Sequence, residues 1–404
     1  MLLKEERERY LAYSEKRYAL DLVNFGMLKE YVLSDDCTAD IQRLLDGDYD
    51  LPLPHRVLVR KANTNRRRTL FVQRERQNFM LKYLAWHLHE YEDIYSDNLY
   101  SFRLGLKSKS LFNKILQVDP GRDLWVAKTD VRDYFFSINP KHLIPMLEKH
   151  VGPRDPQLLA FLTHMLTQNR YLVDDVPTTG PMGGLPGNPV AMIFGNVYLT
   201  SLDAELKERS VLSCRYSDDI AAFVQTQEEA EELLDEMRRV LHGLDLELNE
   251  RKTAIAAPKQ SVELLGLQIC DHNLDVSENS LAKTRYKLKR FAHMLVIREQ
   301  RGEITREQAA QVMVNRVNRY FYGRHESVHR LNWESYFFTS ITRSDSLRDL
   351  DRFVQDLIRY VGTGKKTKAR YRMTYEDMTR LGYKPLVHEY YRFRKDLYLH
   401  HQVG

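Results

Sequence analysis

Apolar residues recur along this chain with two different periods, and the alternation between them lays out its elements. From residue 1 to about 50, Leu11, Tyr18, Leu22 and Phe25 fall at helical spacings among Glu, Lys and Tyr, which predicts one or two amphipathic helices. After Pro52 and Pro54 the pattern changes to strand-like. Arg56-Val-Leu-Val-Arg-Lys61, a polar Asn63-Thr-Asn65 and Arg66-Arg-Arg-Thr-Leu-Phe-Val72 read as a β-hairpin. Helical spacing returns from Arg76 to about Tyr91, and Leu124-Trp-Val-Ala-Lys-Thr-Asp130 reads as a buried strand ending in a carboxylate. A helix starts after Pro140, another covers about 156–168, and a Gly/Pro-rich loop from Thr179 to Pro189 leads into an apolar helix ending near Leu206. Strand, Ser-Asp-Asp turn and strand span Leu212–Val224. Glu228–Leu241 is a charged amphipathic helix, and Leu264–Ile269 a short strand. Beyond Ser277 the pattern is helical almost throughout, with a capping-box sequence at Thr305-Arg-Glu-Gln308, and no internal repeat is visible.

Composition narrows the class without naming a partner. At 404 residues the chain is long enough for two to four folding units with sizeable cores. Its 43% hydrophobic and 11% aromatic content, with 13 Pro and 18 Gly, excludes wholesale disorder and collagen-like or low-complexity architecture. Cys37, Cys214 and Cys270 are odd in number and form no CxxC, so neither a disulfide framework nor a zinc knuckle is expected, and a reducing cytoplasm is. The charged N-terminus lacks the apolar core of a secretory signal. Pro189–Leu199, the longest nearly apolar stretch, is well short of the roughly 18–20 residues of a membrane helix.

The net charge of +5 is modest, but its distribution is not even. Arg56, Arg60, Lys61, Arg66, Arg67 and Arg68 occur in the hairpin with no acidic residue before Glu75, which suits phosphate binding or an edge hairpin guarded against aggregation. Two acidic sites end or interrupt apolar strands instead of decorating helix surfaces: Asp130 and the pair Asp218-Asp219. Carboxylates held together repel, and divalent cations commonly stabilise such an arrangement. Two Mg²⁺ ions there could activate an attacking hydroxyl and neutralise a leaving phosphate. Taken alone, an Asp-Asp between strands is most often just a turn.

The flanks of these carboxylates resemble the reverse transcriptases, especially the prokaryotic retron, group II intron and defence-associated enzymes. Lys128-Thr-Asp130-Val-Arg-Asp133-Tyr-Phe-Phe-Ser-Ile138 is similar to the first palm motif, and Arg215-Tyr216-Ser217-Asp218-Asp219 to the Tyr-x-Asp-Asp hairpin. Between them, Gly184-Leu-Pro-Gly187 and Gly195-Asn196-Val-Tyr-Leu199 with Leu202-Asp203 resemble the substrate loop and helix. Leu248-Asn-Glu-Arg-Lys252-Thr253 resembles the Lys-Thr motif, Leu264-Leu-Gly-Leu267 the primer grip, and Arg68–Val72 and Tyr100-Ser-Phe-Arg103 the fingers signatures. The resemblance covers about residues 55–270. It implies an α+β right-hand polymerase fold: an N-terminal helical extension (1–50), fingers (51–123), a palm with an antiparallel sheet (124–276), a helical thumb (277–362) and a basic aromatic tail (363–404).

The resemblance also implies roles. Asp130 and Asp218 would bind two Mg²⁺ ions, with Asp219 as a supporting carboxylate. Phe135, five positions after the first aspartate, would be the steric gate against a ribose 2′-hydroxyl, or else a core residue. Lys61 and Arg68 are candidates for the incoming triphosphate and Lys252 for pyrophosphate, with a solvated loop lysine as the alternative for Lys252. Gly187 belongs to the substrate loop and Arg103 to the nucleic-acid path. The loop departs from the family pattern: Pro186 abuts Gly187 where Gln usually intervenes, Ala191 and Met192 occupy the region of a usual Ser, and Gln73 stands where Pro is frequent. In the C-terminal third, bases interleave with aromatics. Lys287, Arg290, Arg316 and Arg319 would contact duplex phosphates in a thumb, or form the charged face of a packing module. The tail tyrosines suit a structured RNA or docking onto the body.

The resemblance implies an RNA-directed DNA polymerase making cDNA from dNTPs on a dedicated non-coding RNA, in antiphage defence, with no membrane partner expected and with a homo-oligomer left open. An RNA-binding scaffold or splicing cofactor with a palm fold, and a template-independent polymerase, are the alternatives.

Overall fold

A computed structural model of the chain describes residues 4–18, 22–49, 51–60, 67–118, 122–323, 333–365 and 371–402, without the side chains of 16–22 and 397–402. Lys61 and the rest of the hairpin tip to Arg66, Arg324, the basic run 366–370 and the side chains of Tyr18, Leu22 and Tyr398 lie outside the described residues. The chain divides into two compact units, Met1–Val262 and Glu263–Gly404.

The first unit opens with three helices, α1 (Lys4–Tyr18), α2 (Leu22–Leu33) and α3 (Asp35–Leu45), where periodicity predicts one or two. Ser34 makes the additional break, because its hydroxyl accepts the Cys37 amide at 3.3 Å and so caps α3. Further helices are α4 (Glu75–His87), α5 (Ser108–Leu116), α6 (Tyr134–Ser137), α7 (Pro140–His150), α8 (Pro156–Thr167), α9 (Ala191–Tyr198), α10 (Thr200–Arg209) and α11 (Gln227–His242). The segment expected as helix to Tyr91 leaves α-geometry at His87 and continues as a 3₁₀ helix, Leu88–Ile94. The apolar helix expected to run to Leu206 is broken at Leu199, with φ −108° and ψ 17°, into α9 and α10.

The strands of this unit are β1 (His55–Arg60), β2 (Arg67–Val72), β3 (Trp125–Asp130), β4 (Arg170–Val173), β5 (Val176–Thr179), β6 (Leu212–Tyr216), β7 (Asp219–Val224) and β8 (Ala254–Ala256). β1 and β2 pair antiparallel from His55↔Val72 to Arg60↔Arg67, the hairpin read in the sequence. Sequence reasoning does not find β4 and β5, which extend that sheet in the order β2-β1-β4-β5. Their turn is Asp174-Asp175, both with positive φ, as a two-residue hairpin of type I′ requires. The other sheet, β6-β7-β3-β8, is antiparallel throughout. Ala127, Ile220 and Ala222 on these strands pack with Leu233, Met237 and Leu241 of α11 and with Val197 and Leu206 of α9 and α10, all within one buried core.

The second unit begins within β9 (Val262–Leu264), which forms a sheet with β10 (Leu267–Cys270) and β11 (Asn273–Val276). The single strand expected over Leu264–Ile269 is therefore two, because Leu265 and Gly266 both take positive φ (50° and 82°) and turn the chain. Helices α12 (Glu278–Gln300), α13 (Arg306–Tyr322), α14 (Trp333–Phe337), α15 (Asp345–Thr363), α16 (Tyr375–Arg380) and α17 (Leu386–Gln402) follow. The capping box at Thr305 and Gln308 forms in both directions. The tail docks onto its own unit: Tyr383, Leu386 and Tyr390 are buried, the Tyr383 hydroxyl bonds Asp351, and the Leu386 amide donates to Asp351 Oδ1 at 3.1 Å. Tyr375 and Tyr391 stay exposed. Among the described residues no helix is long and apolar enough to cross a membrane.

Candidate active site

Sheet register brings the acidic residues together. β3 pairs with β7 so that Asp130 lies directly opposite Asp219, and β6 pairs with β7 so that Tyr216 faces Asp219 across a two-residue turn, Ser217-Asp218. One end of the sheet's central pair thus carries a carboxylate on each of two neighbouring strands. The Val131 amide donates to the Asp218 carbonyl at 3.2 Å and the Asn249 amide to the Asp130 carbonyl at 2.8 Å, which ties the three segments at this edge.

The electrostatics follow from burial. Asp130 is 3% exposed, and its Oδ1 has no hydrogen-bond partner among the described residues. Burial raises the Asp218 carboxyl above its ordinary value, and repulsion from Asp130 adds to the rise. Asp219 is pushed up to about 6, first by burial and then by Asp218. Two lysines answer them: Lys252 Nζ contacts Asp130 Oδ2, and attraction to Lys128 offsets part of the rise at Asp219. Burial would lower the Lys252 ammonium, but its hydrogen bond and attraction to Asp130 raise it. Thr253, its neighbour, holds the Lys252 turn against β3 through its hydroxyl, 2.7 Å from that of Thr129 and 3.1 Å from the Asn249 carbonyl.

An orphaned buried carboxylate oxygen, two carboxyls destabilised as anions and a lysine ammonium standing as the local cation together fit a divalent metal site, with oxygen ligands from Asp130, Asp218 and Asp219. Among the described residues only Glu6, His87 and Glu90 bring ligand atoms all within 4.8 Å of one another. The three aspartates stand wider apart, with Lys252 on one of them.

Phe135 lies in the short α6 beside this edge. Its half-buried ring packs on Tyr134 with centroids 5.4 Å apart. Gly195 of α9 makes room for both rings: a Cβ there would meet Phe135 Cε1 at 3.1 Å and Tyr134 Cε1 at 3.2 Å. The Tyr134 hydroxyl donates to the Gly195 carbonyl, fixing α6 on α9. Gly187 sits in a loop laid against β2. The Phe71 amide donates to the Pro186 carbonyl at 2.8 Å, Gly187 has φ +107°, and a Cβ on it would meet the Phe71 carbonyl oxygen at 2.8 Å. Arg68 is exposed on β2, opposite Val59.

Arg103 differs from its sequence expectation as a nucleic-acid contact. Its side chain is 17% exposed, pairs with Glu92 at 3.2 Å, donates to the Ser96 carbonyl at 3.0 Å and lies over the Tyr95 ring, so it fastens its own segment. Lys252, expected at pyrophosphate or in solvent, is engaged with Asp130. In the second unit Lys287, Arg290, Arg316 and Arg319 are all exposed on α12 and α13. Lys287 lies over Tyr320, Arg290 over Tyr286 and Arg316 over Phe291, at 5.2–5.7 Å from the ring centroids, so rings and cations share one face of the helix pair.

Sequence reasoning does not assign Arg215, Ser101 or Thr253 to the site. Arg215 carries a signal, since a cation inside an otherwise apolar strand must have a buried partner.

No curated protein matches the chain. Similar solved structures include apo telomerase from Candida tropicalis truncated from its C-terminal domain, at 10% identity and TM-score 0.46, covering 55% of each chain. Telomerase from Candida albicans in complex with a TWJ fragment of telomeric RNA is 12% identical with TM-score 0.45, covering 82% of this chain and 62% of that one. Apo telomerase from Candida tropicalis is 10% identical with TM-score 0.45, covering 82% and 68%. The chain therefore spans less than two thirds of the first two. A family model described as "Reverse transcriptase (RNA-dependent DNA polymerase)" matches residues 59–269, the stretch that contains every strand-end carboxylate described above. That match takes in just over half of the chain, and the protein belongs to the reverse transcriptase family.

Proposed function

We propose that this protein is an RNA-directed DNA polymerase that extends a primer with dNTPs on an RNA template. The observation that carries the reading is the register of β3 on β7, which sets Asp130 against Asp219 beside Asp218 with a buried Asp130 oxygen left without a partner. In the reaction the primer 3′-hydroxyl gives up its proton to solvent and its oxygen attacks the α-phosphorus of the dNTP. A phosphodiester bond forms, the bond to the β-phosphate breaks, and pyrophosphate departs. Asp130, Asp218 and Asp219 are the residues that would hold Mg²⁺, whose bound charge favours the attacking oxygen and the leaving phosphates. The chain's own contribution is to fix these carboxylates at rigid strand ends and to supply Lys252 as the cation on Asp130. Arg68, exposed on β2, is a candidate for the triphosphate.

Primer extension on an RNA template tests the reading: the wild type should incorporate dNTPs, and Asp130→Ala and Asp218→Ala should each abolish incorporation. Unchanged synthesis in both variants would sink it, and product made without template would favour template-independent synthesis. Phe135 is proposed as the sugar gate because its ring is fixed between Tyr134 and the bare face of Gly195. Phe135→Ala should admit rNTPs about tenfold more readily or better. Equal dNTP/rNTP ratios for variant and wild type would remove the gate. A dedicated non-coding RNA template and a role in antiphage defence rest on the family resemblance. Sequencing of nucleic acids recovered with the protein, and phage plating on cells carrying the wild type or Asp218→Ala, test them.

A further inference from the structure

An ion pair lies directly behind the Ser217-Asp218 turn and has no part in the chemistry above. Arg215 and Asp203 are both fully shut off from solvent. The guanidinium Nε and Nη2 each stand 2.6 Å from a carboxylate oxygen of Asp203, a bidentate fork. Such a pair is weak evidence for stability, because desolvating two charges can cost as much as their attraction returns. Its use must be sought in what else it touches.

It touches the backbone of the turn. Arg215 Nη1 donates to the Ser217 carbonyl at 3.2 Å, and Nη2 also donates to the Asn196 carbonyl at 3.1 Å. Ser217 has φ +61°, a conformation that costs a non-glycine residue energy and persists only where the surroundings impose it. Its amide is held as well, donating to Ser101 Oγ at 2.8 Å. Ser101 and Asn196 bond each other twice, and Asn98 Nδ2 donates to the Asp203 carbonyl and to Ser213 Oγ, both at 2.9 Å. Both backbone groups of the strained residue are therefore gripped from inside the protein by one buried polar network.

We propose that the Arg215–Asp203 pair is a positioning device for the polymerase centre: it holds the Ser217 carbonyl and thereby sets the direction in which Asp218 leaves the turn. The inference rests on the reading of Asp218 as a metal-binding carboxylate. Only a guanidinium can satisfy both oxygens of Asp203 and still present N–H groups to two carbonyls, because its donors form a planar fork. A lysine would keep the charge and lose the grip on Ser217.

Two variants separate positioning from simple structural support. Asp203→Leu/Arg215→Met removes both charges together, an exchange that buried pairs commonly tolerate in folding. Arg215→Lys keeps the pair and removes the fork. Melting temperature, kcat and the KM for dNTP are measured for each on a primed RNA template. We expect folded proteins whose kcat falls about 10–100-fold, the scale set by misplacing a catalytic group by about 1 Å, with KM little changed. Wild-type kcat in either folded variant would overturn the proposal, as would failure of both to fold, which would make the pair a scaffold element only. The wild-type arm reports separately on the polymerase reading, which fails if the unmodified protein does not extend the primer.

Discussion

Lys252 occupies the position that a bound cation would contest. Its ammonium contacts one oxygen of Asp130, while the other oxygen has no partner among the described residues. A metal ion drawing on both oxygens must displace the ammonium or share the carboxylate with it. Lys252→Met should therefore lower the Mg²⁺ concentration for half-maximal activity, and added Mg²⁺ should raise the melting temperature of the variant more than that of the wild type. Mg²⁺ titrations of activity and of thermal unfolding check this, and an unchanged half-maximal concentration would show that the ammonium does not compete. At this scale the sequence is informative about some residues and silent about others. Asp130 and Asp218-Asp219 stand out because a carboxylate at the end of an apolar strand is costly and needs a reason. The Lys252–Asp130 contact spans 122 positions and leaves no local trace. Arg103 reads the same in the sequence whether its guanidinium faces nucleic acid or its own Glu92, since both settings place an arginine among aromatics.

Elements are legible where period and burial agree. β3, the β6/β7 hairpin and α11 lie close to where alternation or helical spacing puts them, because each has one buried face or a continuous apolar run; the β1/β2 hairpin also lies where the sequence puts it, although β1 carries no buried residue. Two of the misses share a cause: turns that place non-glycine residues in the left-handed region. Asp174-Asp175 joins β4 to β5, and Leu265 precedes Gly266 between β9 and β10, and neither pair has the Asn-Gly signature that marks such turns. Gly187 is the opposite case, a glycine that the local geometry requires. Its φ of +107° and the 2.8 Å approach of the Phe71 carbonyl leave no space for a side chain. Gly187→Ala should cost about 1–3 kcal/mol and free the loop from the edge of β2. Thermal unfolding measures the cost, and hydrogen exchange at the Phe71 amide, bonded to Pro186 in the wild type, reports the release.

Across the whole molecule a net charge of +5 conceals a division of labour. The first unit carries the acidic strand ends, and the second a face of α12 and α13 where Lys287, Arg290 and Arg316 lie over aromatic rings. If that face meets nucleic-acid phosphates, affinity for a primer–template falls steeply with salt, and every phosphate left without its cation takes about 0.7–0.9 off the log–log slope. Arg290→Ala/Arg316→Ala should flatten the slope by about 1.5, read from binding at several salt concentrations, and an unchanged slope would assign these residues to helix packing. The register of β3 on β7 has a consequence of another kind. Because both faces of β3 carry buried residues, alternation does little to specify its pairing, and a slip of one residue would turn Lys128 and Asp130 together to the opposite side of the sheet. A preparation refolded from denaturant can thus contain compact, protease-resistant molecules that never turn over, and the fraction that binds primer and reacts in a single turnover becomes a direct count of correctly registered sheets.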